Sequence, residues 1–221
     1  MFVLTTLIIL LIILYIHIIY GGKRFSEELD FTVNMGEKEF LEFIEQPFKE
    51  LEKENEFIIK ENKSIFGKSF LIKYINDLVR GDMFISLDFS FREIVIENVK
   101  KIITSDYPII MSNYIFTLSL NEIIAEKIRA IMTRNKPRDI YDLWILQELG
   151  GKINFEIINK KLAYYKQTFN YDLFISKINQ INQKDFIIDL RPFIPTSERE
   201  ELPKLYELIK DYCIQRLTPT A

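Results

Sequence analysis

The stretch Arg24-Phe25-Ser26-Glu27-Glu28-Leu29-Asp30-Phe31 alternates acidic and apolar side chains. A strand has a side-chain period of two, so Ser26, Glu28, Asp30 and Thr32 share one face, and Phe25, Leu29, Phe31 and Val33 share the other. Two carboxylates on one strand face suit Mg²⁺, a hard cation that takes one or two protein carboxylates and fills its shell with water and substrate phosphate. The competing reading is a half-exposed strand whose polar face is solvated. A third carboxylate, Asp88, falls on the polar face of a second alternating run, Met83 to Phe91, where Ile85, Leu87, Phe89 and Phe91 alternate with Ser86, Asp88 and Ser90. Placed beside Glu28 and Asp30 in one sheet, Asp88 completes a metal-binding group.

Cations that could meet phosphate lie further on. Ser119-Leu120-Asn121-Glu122 has the pattern of a capping box and announces a helix to about Arg134. Successive 100° steps put Leu120, Ile123, Ile124, Ile128 and Ile131 on one arc, with Glu122, Glu126, Arg129 and Thr133 opposite. Lys127 falls inside the apolar arc, where it either snorkels outward or serves a site that needs a cation. After Asn135-Lys136, Pro137 suits the first turn of a second helix. There Arg138 and Asp142 are four apart and can pair, and Asp139 and Asp142 lie on one side. Asp142 faces the packed side with Ile145, Leu146 and Leu149, so Lys127 and Asp142 can meet between the helices. Such a meeting also has a purely structural reading, a buried bridge that clamps the helical hairpin.

The elements that must hold these residues follow from hydrophobic pattern. Glu37 to Asn55 reads as a helix, with Pro47 expected to kink or split it. Glu56 to Ile75 reads as a hairpin turning near Asn62 to Gly67, and Pro108 to Leu118 as an extended piece. Beyond Gly150 the chain is helical over Ile153 to Tyr165, Tyr171 to Ile181 and Glu198 to about Arg216, with Pro192 and Pro195 in the connection. Lys160, Lys161, Lys166, Lys177 and Lys184 read as solvated faces there.

With 221 residues, 48% of them hydrophobic, the chain can bury a real core. A net charge of -3 and a pI near 5.5 exclude a global basic field for nucleic acid, which leaves room only for local patches. One cysteine, Cys213, excludes an intramolecular disulfide and a cysteine-based zinc cluster and reads as a buried thiol; one histidine, His17, removes most histidine chemistry. The composition fits a reducing cytoplasm. Residues 2 to 20 carry no formal charge and are followed by Lys23 and Arg24, which meets the length criterion for a single-pass membrane anchor. A buried strand and helix is the rival reading.

Taken together, residues 24 to 31, Asp88, Glu122-Ile123-Ile124-Ala125-Glu126-Lys127-Ile128-Arg129-Ala130 and Arg138-Asp139-Ile140-Tyr141-Asp142-Leu143 closely resemble the AbiEii/AbiGii nucleotidyltransferase toxin family. The resemblance runs from about Gly21 to Leu149, and its most specific part is the lysine helix followed by R-D-x-x-D-L. It implies an α+β fold: a polymerase-β-like nucleotidyltransferase mixed sheet with flanking helices over residues 1–118, then a helical domain over 119–221 that completes the site. It also implies transfer of a nucleotide from an NTP with Mg²⁺, to tRNA or another RNA or to a protein. The setting implied is a toxin-antitoxin or phage abortive-infection pair, with a winged-helix antitoxin encoded alongside. Carried onto this chain, Glu28, Asp30 and Asp88 are the metal-binding and catalytic carboxylates, Glu28 standing where the family has aspartate. Lys127 contacts the triphosphate, Asp142 completes the catalytic set, and Ser26, Arg138 and Asp139 join Lys127 in nucleotide binding.

One departure stands out. Family members carry a Gly-Gly or Gly-Ser loop shortly before the acidic pair, and backbone amides in such turns cradle phosphates. Here Phe2-Val3-Leu4-Thr5 is similar to the strand entering that loop, but Thr6-Leu7-Ile8-Ile9 follows, and Gly21-Gly22 sits as the turn just ahead of the acidic strand. Three readings fit: an inactive copy that remains a binding module for antitoxin or RNA, a reading-frame error across the loop codons, and a membrane anchor added to the fold.

Overall fold

The computed structural model describes residues 28–54, 57–64, 67–74, 83–102 and 114–217. They divide into two compact units, one ending at Thr117 and one beginning at Leu118. The apolar run 2–20, the Gly21-Gly22 turn and Ser26 lie outside the described residues.

The first unit is built on a four-stranded sheet in the order β1 (Glu28–Thr32), β4 (Met83–Ser90), β3 (Lys68–Tyr74), β2 (Phe57–Asn62). β1 runs parallel to β4, and the other two pairs are antiparallel, so the sheet is mixed. Alternation in the sequence makes it two-faced. Phe31, Phe70, Leu87 and Phe89 are buried on one side with Val33, Phe40 and Ile44. The last two belong to α1 (Glu37–Glu54), whose acidic first turn, Glu37 and Glu39, complements the helix dipole. Aromatic contacts knit this layer: Phe31 stacks on Phe89 at 4.5 Å, Phe40 meets Phe89 at 4.6 Å, and Phe48 meets Phe70 edge-on at 5.0 Å. The expectation that Pro47 would kink or split the helix is not met, since α1 continues through it. Pro47 lies on the exposed side, where water can take the carbonyl that loses its amide partner. A two-stranded sheet, β5 (Asn98–Ile102) with β6 (Tyr114–Leu118), completes the strands described; β5, with two lysines in five residues, gave no strand signal.

The second unit is helical: α2 (Leu120–Thr133), α3 (Arg138–Glu148), α4 (Phe155–Ala163), α5 (Tyr171–Gln180), α6 (Gln183–Leu190) and α7 (Leu202–Leu217), with 3-10 turns at Arg191–Phe193 and Thr196–Glu201. Side-chain caps start four of them, from Ser119, Asn154, Asn170 and Asn182. α2 packs against α3, α4 and α5, and α3 also packs against α6 and α7. Cys213 is fully buried in α7, with its thiol 3.7 Å from the Ile140 carbonyl oxygen and its pKa pushed up to about 12 by burial. It is an inert core thiol. Among the described residues no helix is long and apolar enough to cross a membrane.

Gly67 sets how closely the β2–β3 turn passes β4. Its φ is +146°, and a Cβ there would stand 2.0 Å from the Phe89 carbonyl oxygen. Gly67→Ala is expected to destabilise the protein by about 2–3 kcal/mol in urea unfolding. Gly36→Ala, where a Cβ meets nothing within 4 Å, should leave the midpoint within experimental error.

Candidate functional site

The polar face of the first unit's sheet assembles the predicted carboxylates. Strand register puts Asp30 opposite Asp88 and Glu28 opposite Ser86. Paired residues of parallel strands point to the same side, so Asp30 and Asp88 stand about 4.8 Å apart at the backbone on one face. Like charges directly opposite on adjacent strands repel. Ser86 Oγ donates to Asp88 Oδ2 at 3.1 Å, which orients that carboxylate. On the same face Ser69 is Asp88's partner on β3, and Ser90 is Thr32's partner on β1. Ser90 Oγ is buried and has no hydrogen-bond partner among the described residues.

These groups fit a hard divalent cation. Two aspartates on one strand face are donors of the kind Mg²⁺ accepts, with water and phosphate supplying the rest of its shell. No group of three or more His, Cys, Asp or Glu side chains among the described residues is arranged to hold a metal ion. Glu28 stands one strand repeat, about 7 Å, from Asp30 along β1, and the paired donors are the two aspartates.

In the second unit the two helices of the lysine and R-D-x-x-D segments meet as their spacing suggests. Lys127 Nζ lies 2.7 Å from Asp142 Oδ2 and 3.4 Å from Asp139 Oδ1, with all three residues buried. Arg134, just past the end of α2, closes the network with Nε and Nη2 each 2.9 Å from the two oxygens of Asp139. Burial opposes the charge on Asp139, yet Lys127 and Arg134 outweigh it and hold its pKa below the ordinary carboxylate range. Arg134 is a member of this cluster that sequence reading passed over; its signal was its position, one turn before Asp139 across the α2–α3 corner.

Three expectations are corrected. Arg138 does not reach Asp142: its guanidinium Nη1 and its backbone N–H each lie 2.9 Å from the Asp189 carboxylate on α6, and the guanidinium sits 5.1 Å over the Phe193 ring. Lys161 is not a solvated side chain. It is 1% exposed, and its Nζ lies 2.6 Å from Glu122 and 2.8 Å from Glu126. Those two glutamates, expected on the polar side of α2, are buried as well, because α4 covers that side. Arg129 completes this second network at 2.6 Å from Glu126, with its guanidinium 5.1 Å over the Tyr165 ring. Burial opposes the charge on Lys161, but Glu126 and Glu122 prevail and raise its pKa above the ordinary lysine value.

The Asp139 shift fixes a pH dependence. Its folded pKa lies below the unfolded one, so its stabilisation is complete above about pH 4 and is lost as pH falls through the folded value. Asp139→Asn should therefore lower the thermal midpoint at pH 7 and flatten its acid limb relative to the native chain, a comparison made by melting both between pH 7 and pH 3. Lys161→Met removes the buried cation between Glu122 and Glu126 and should cost about 3–5 kcal/mol in urea unfolding at neutral pH.

The comparisons with known proteins bear on this arrangement. Two crystal structures from Helicobacter pylori are similar to this chain at low identity. One is JHP933, at 19% identity and TM-score 0.44, covering 89% of this chain and 80% of that one. The other is a candidate nucleotidyltransferase, at 18% identity and TM-score 0.48, covering 98% of this chain and 91% of that one. No curated protein matches the sequence. The profile of the family described as "Nucleotidyl transferase AbiEii toxin, Type IV TA system" matches residues 14–214, nearly the whole chain and both units. The chain therefore belongs to the AbiEii family of nucleotidyl transferase toxins from type IV toxin-antitoxin systems.

Proposed function

We propose that this chain transfers a nucleotide from an NTP, with Mg²⁺, to an RNA or protein acceptor. The observation that carries the reading is the direct pairing of Asp30 with Asp88 on one face of a parallel strand pair. Two carboxylates held in register on one strand face are a donor set that a hard divalent cation takes. Asp30 and Asp88 would hold the ion, with Glu28 beside them, and the bound ion supplies charge neutralisation at the NTP phosphates. Phosphoryl-type transfer asks for positioning and electrostatics more than for covalent chemistry, which matches a chain without a nucleophilic thiol or histidine in its described part.

In the helical unit Lys127 supplies the cation for the triphosphate. Its ammonium has three donors, of which Asp142 and Asp139 take two and so aim the remaining one. Ser26 joins Lys127 in nucleotide contact in this reading, and Arg138 and Asp139 serve it through Lys127. Membership of a toxin-antitoxin family brings an antitoxin counterpart in general; a winged-helix protein encoded alongside, acting in abortive infection of phage, is the form proposed here. The cytoplasm, where NTP and RNA are found, is the compartment this activity requires.

A second reading rests on the sequence Thr6-Leu7-Ile8-Ile9, which replaces a glycine loop with side chains that obstruct close backbone approach to phosphate. In that reading the chain binds antitoxin or RNA without transferring anything. One assay separates the two. The full chain is incubated with each α-labelled NTP, Mg²⁺ and total RNA, and label on RNA or on protein is scored. Transfer that falls by about a hundredfold or more in Asp30→Asn and in Asp88→Asn supports the enzyme. RNA retention with no label on any acceptor, for all four NTPs, would establish the binding module instead.

A further inference from the structure

The start of α3 is anchored by a residue that no motif contains. Pro137 precedes the helix and makes no side-chain cap. A proline there fixes backbone geometry but leaves the first amides without the side-chain acceptor that Ser119, Asn154, Asn170 and Asn182 give other helices of this unit. Asp189, 51 residues further on, fills the gap: one carboxylate oxygen accepts the Arg138 backbone N–H and the other accepts the Arg138 guanidinium, each at 2.9 Å. Phe193 lies beneath the same guanidinium at 5.1 Å. The first residue of α3 is thus held at main chain and side chain by one carboxylate from α6.

We propose that Asp189 is a positioning residue for nucleotide transfer, acting through Arg138 on the first turns of α3. Those turns carry Asp139 and Asp142, the two carboxylates that fix Lys127. Release of Asp189 frees the head of the helix, so both carboxylates lose their setting relative to α2 and the Lys127 ammonium is no longer aimed. The proposal rests on the nucleotidyl transfer reading for its catalytic consequence and on the geometry alone for its positioning consequence. Asp189 contacts no reacting group in this account, and its substitution should change kcat more than KM.

The test compares Asp189→Ala with Asp189→Asn in the full chain. Asn keeps an acceptor for the Arg138 amide and loses the charge. Asp189→Ala is expected to lower kcat by about ten- to a hundredfold with the KM for NTP within about twofold, at a temperature where both variants are folded by circular dichroism. Asp189→Asn should return to within about threefold of the native kcat, as asparagine caps nearly as well as aspartate. An independent readout is the ¹⁵N-lysine ammonium signal of Lys127, assigned with Lys127→Arg: a buried, hydrogen-bonded ammonium exchanges slowly with water, and Asp189→Ala should broaden it beyond detection while Asp189→Asn retains it. Native kcat in Asp189→Ala, or an unaltered Lys127 signal in that variant, overturns the proposal. If the native chain transfers no nucleotide, the functional reading fails separately, and the Lys127 signal alone decides the positioning role.

Discussion

Every charge that α2 carries into the helical unit must be met by a charge from another helix. Glu122, Glu126 and Lys127 are all buried on this one helix, and an unpaired ion in such surroundings costs several kcal/mol. Lys161 of α4 answers the two glutamates, and Asp139 and Asp142 of α3 answer the lysine. Arg129 and Arg134 bring each group to formal neutrality. The pairing dictates register: α3 and α4 can slide along α2 only by breaking ion pairs that water does not replace. Apolar packing alone, as between Ile124, Ile128, Leu143 and Leu162, would tolerate such slippage far better.

The sheet of the first unit works by the opposite principle. Its apolar face is closed by α1 through aromatic contacts and needs no charge, while its polar face gathers Asp30 and Asp88 where neither answers the other. The two aspartates share one face of a parallel strand pair, where the Ser86 hydroxyl donates to Asp88. In the helical unit, by contrast, the buried carboxylates of α2 and α3 face lysine and arginine side chains directly.

Alternation made the strands and their polar face legible before any coordinates, because period two sends Glu28, Asp30, Asp88 and Ser90 to one side whatever the tertiary context. The capping box at Ser119 and the pairing of Lys127 with Asp142 were legible for a similar reason: both follow from local geometry and a short connection. Lys161 was not. A helical wheel assigns one buried arc, whereas α2 is covered by α3, α4 and α5 together, so its second side, with Glu122 and Glu126, is interior too. Nothing in a single helix's pattern reports how many neighbours surround it. Arg138 failed differently. The i,i+4 rule offered Asp142, but Lys127 already engages that carboxylate, and the partner lies on α6, an eight-residue helix too short to register in the sequence. The nucleotide loop and the acceptor rest on family resemblance, because no residue pattern in the chain specifies either.

An arginine at the first position of a helix is electrostatically misplaced, since the amino end of the dipole is positive and favours acids. Asp139, next in sequence, suits that end, but its charge is directed to Arg134 and Lys127. Arg138 therefore needs an anion from outside the helix, and Asp189 supplies one that also accepts the helix's first amide. The same carboxylate thus offsets the unfavourable arginine and stands in for the cap that Pro137 does not provide. A lysine at 138 could offer neither the planar fork to Asp189 nor the flat face to Phe193. The ion pair joins α3 to α6 at the end where Asp139 and Asp142 lie, so the far part of the chain, residues 183–193, bears on the Lys127 cluster without touching it.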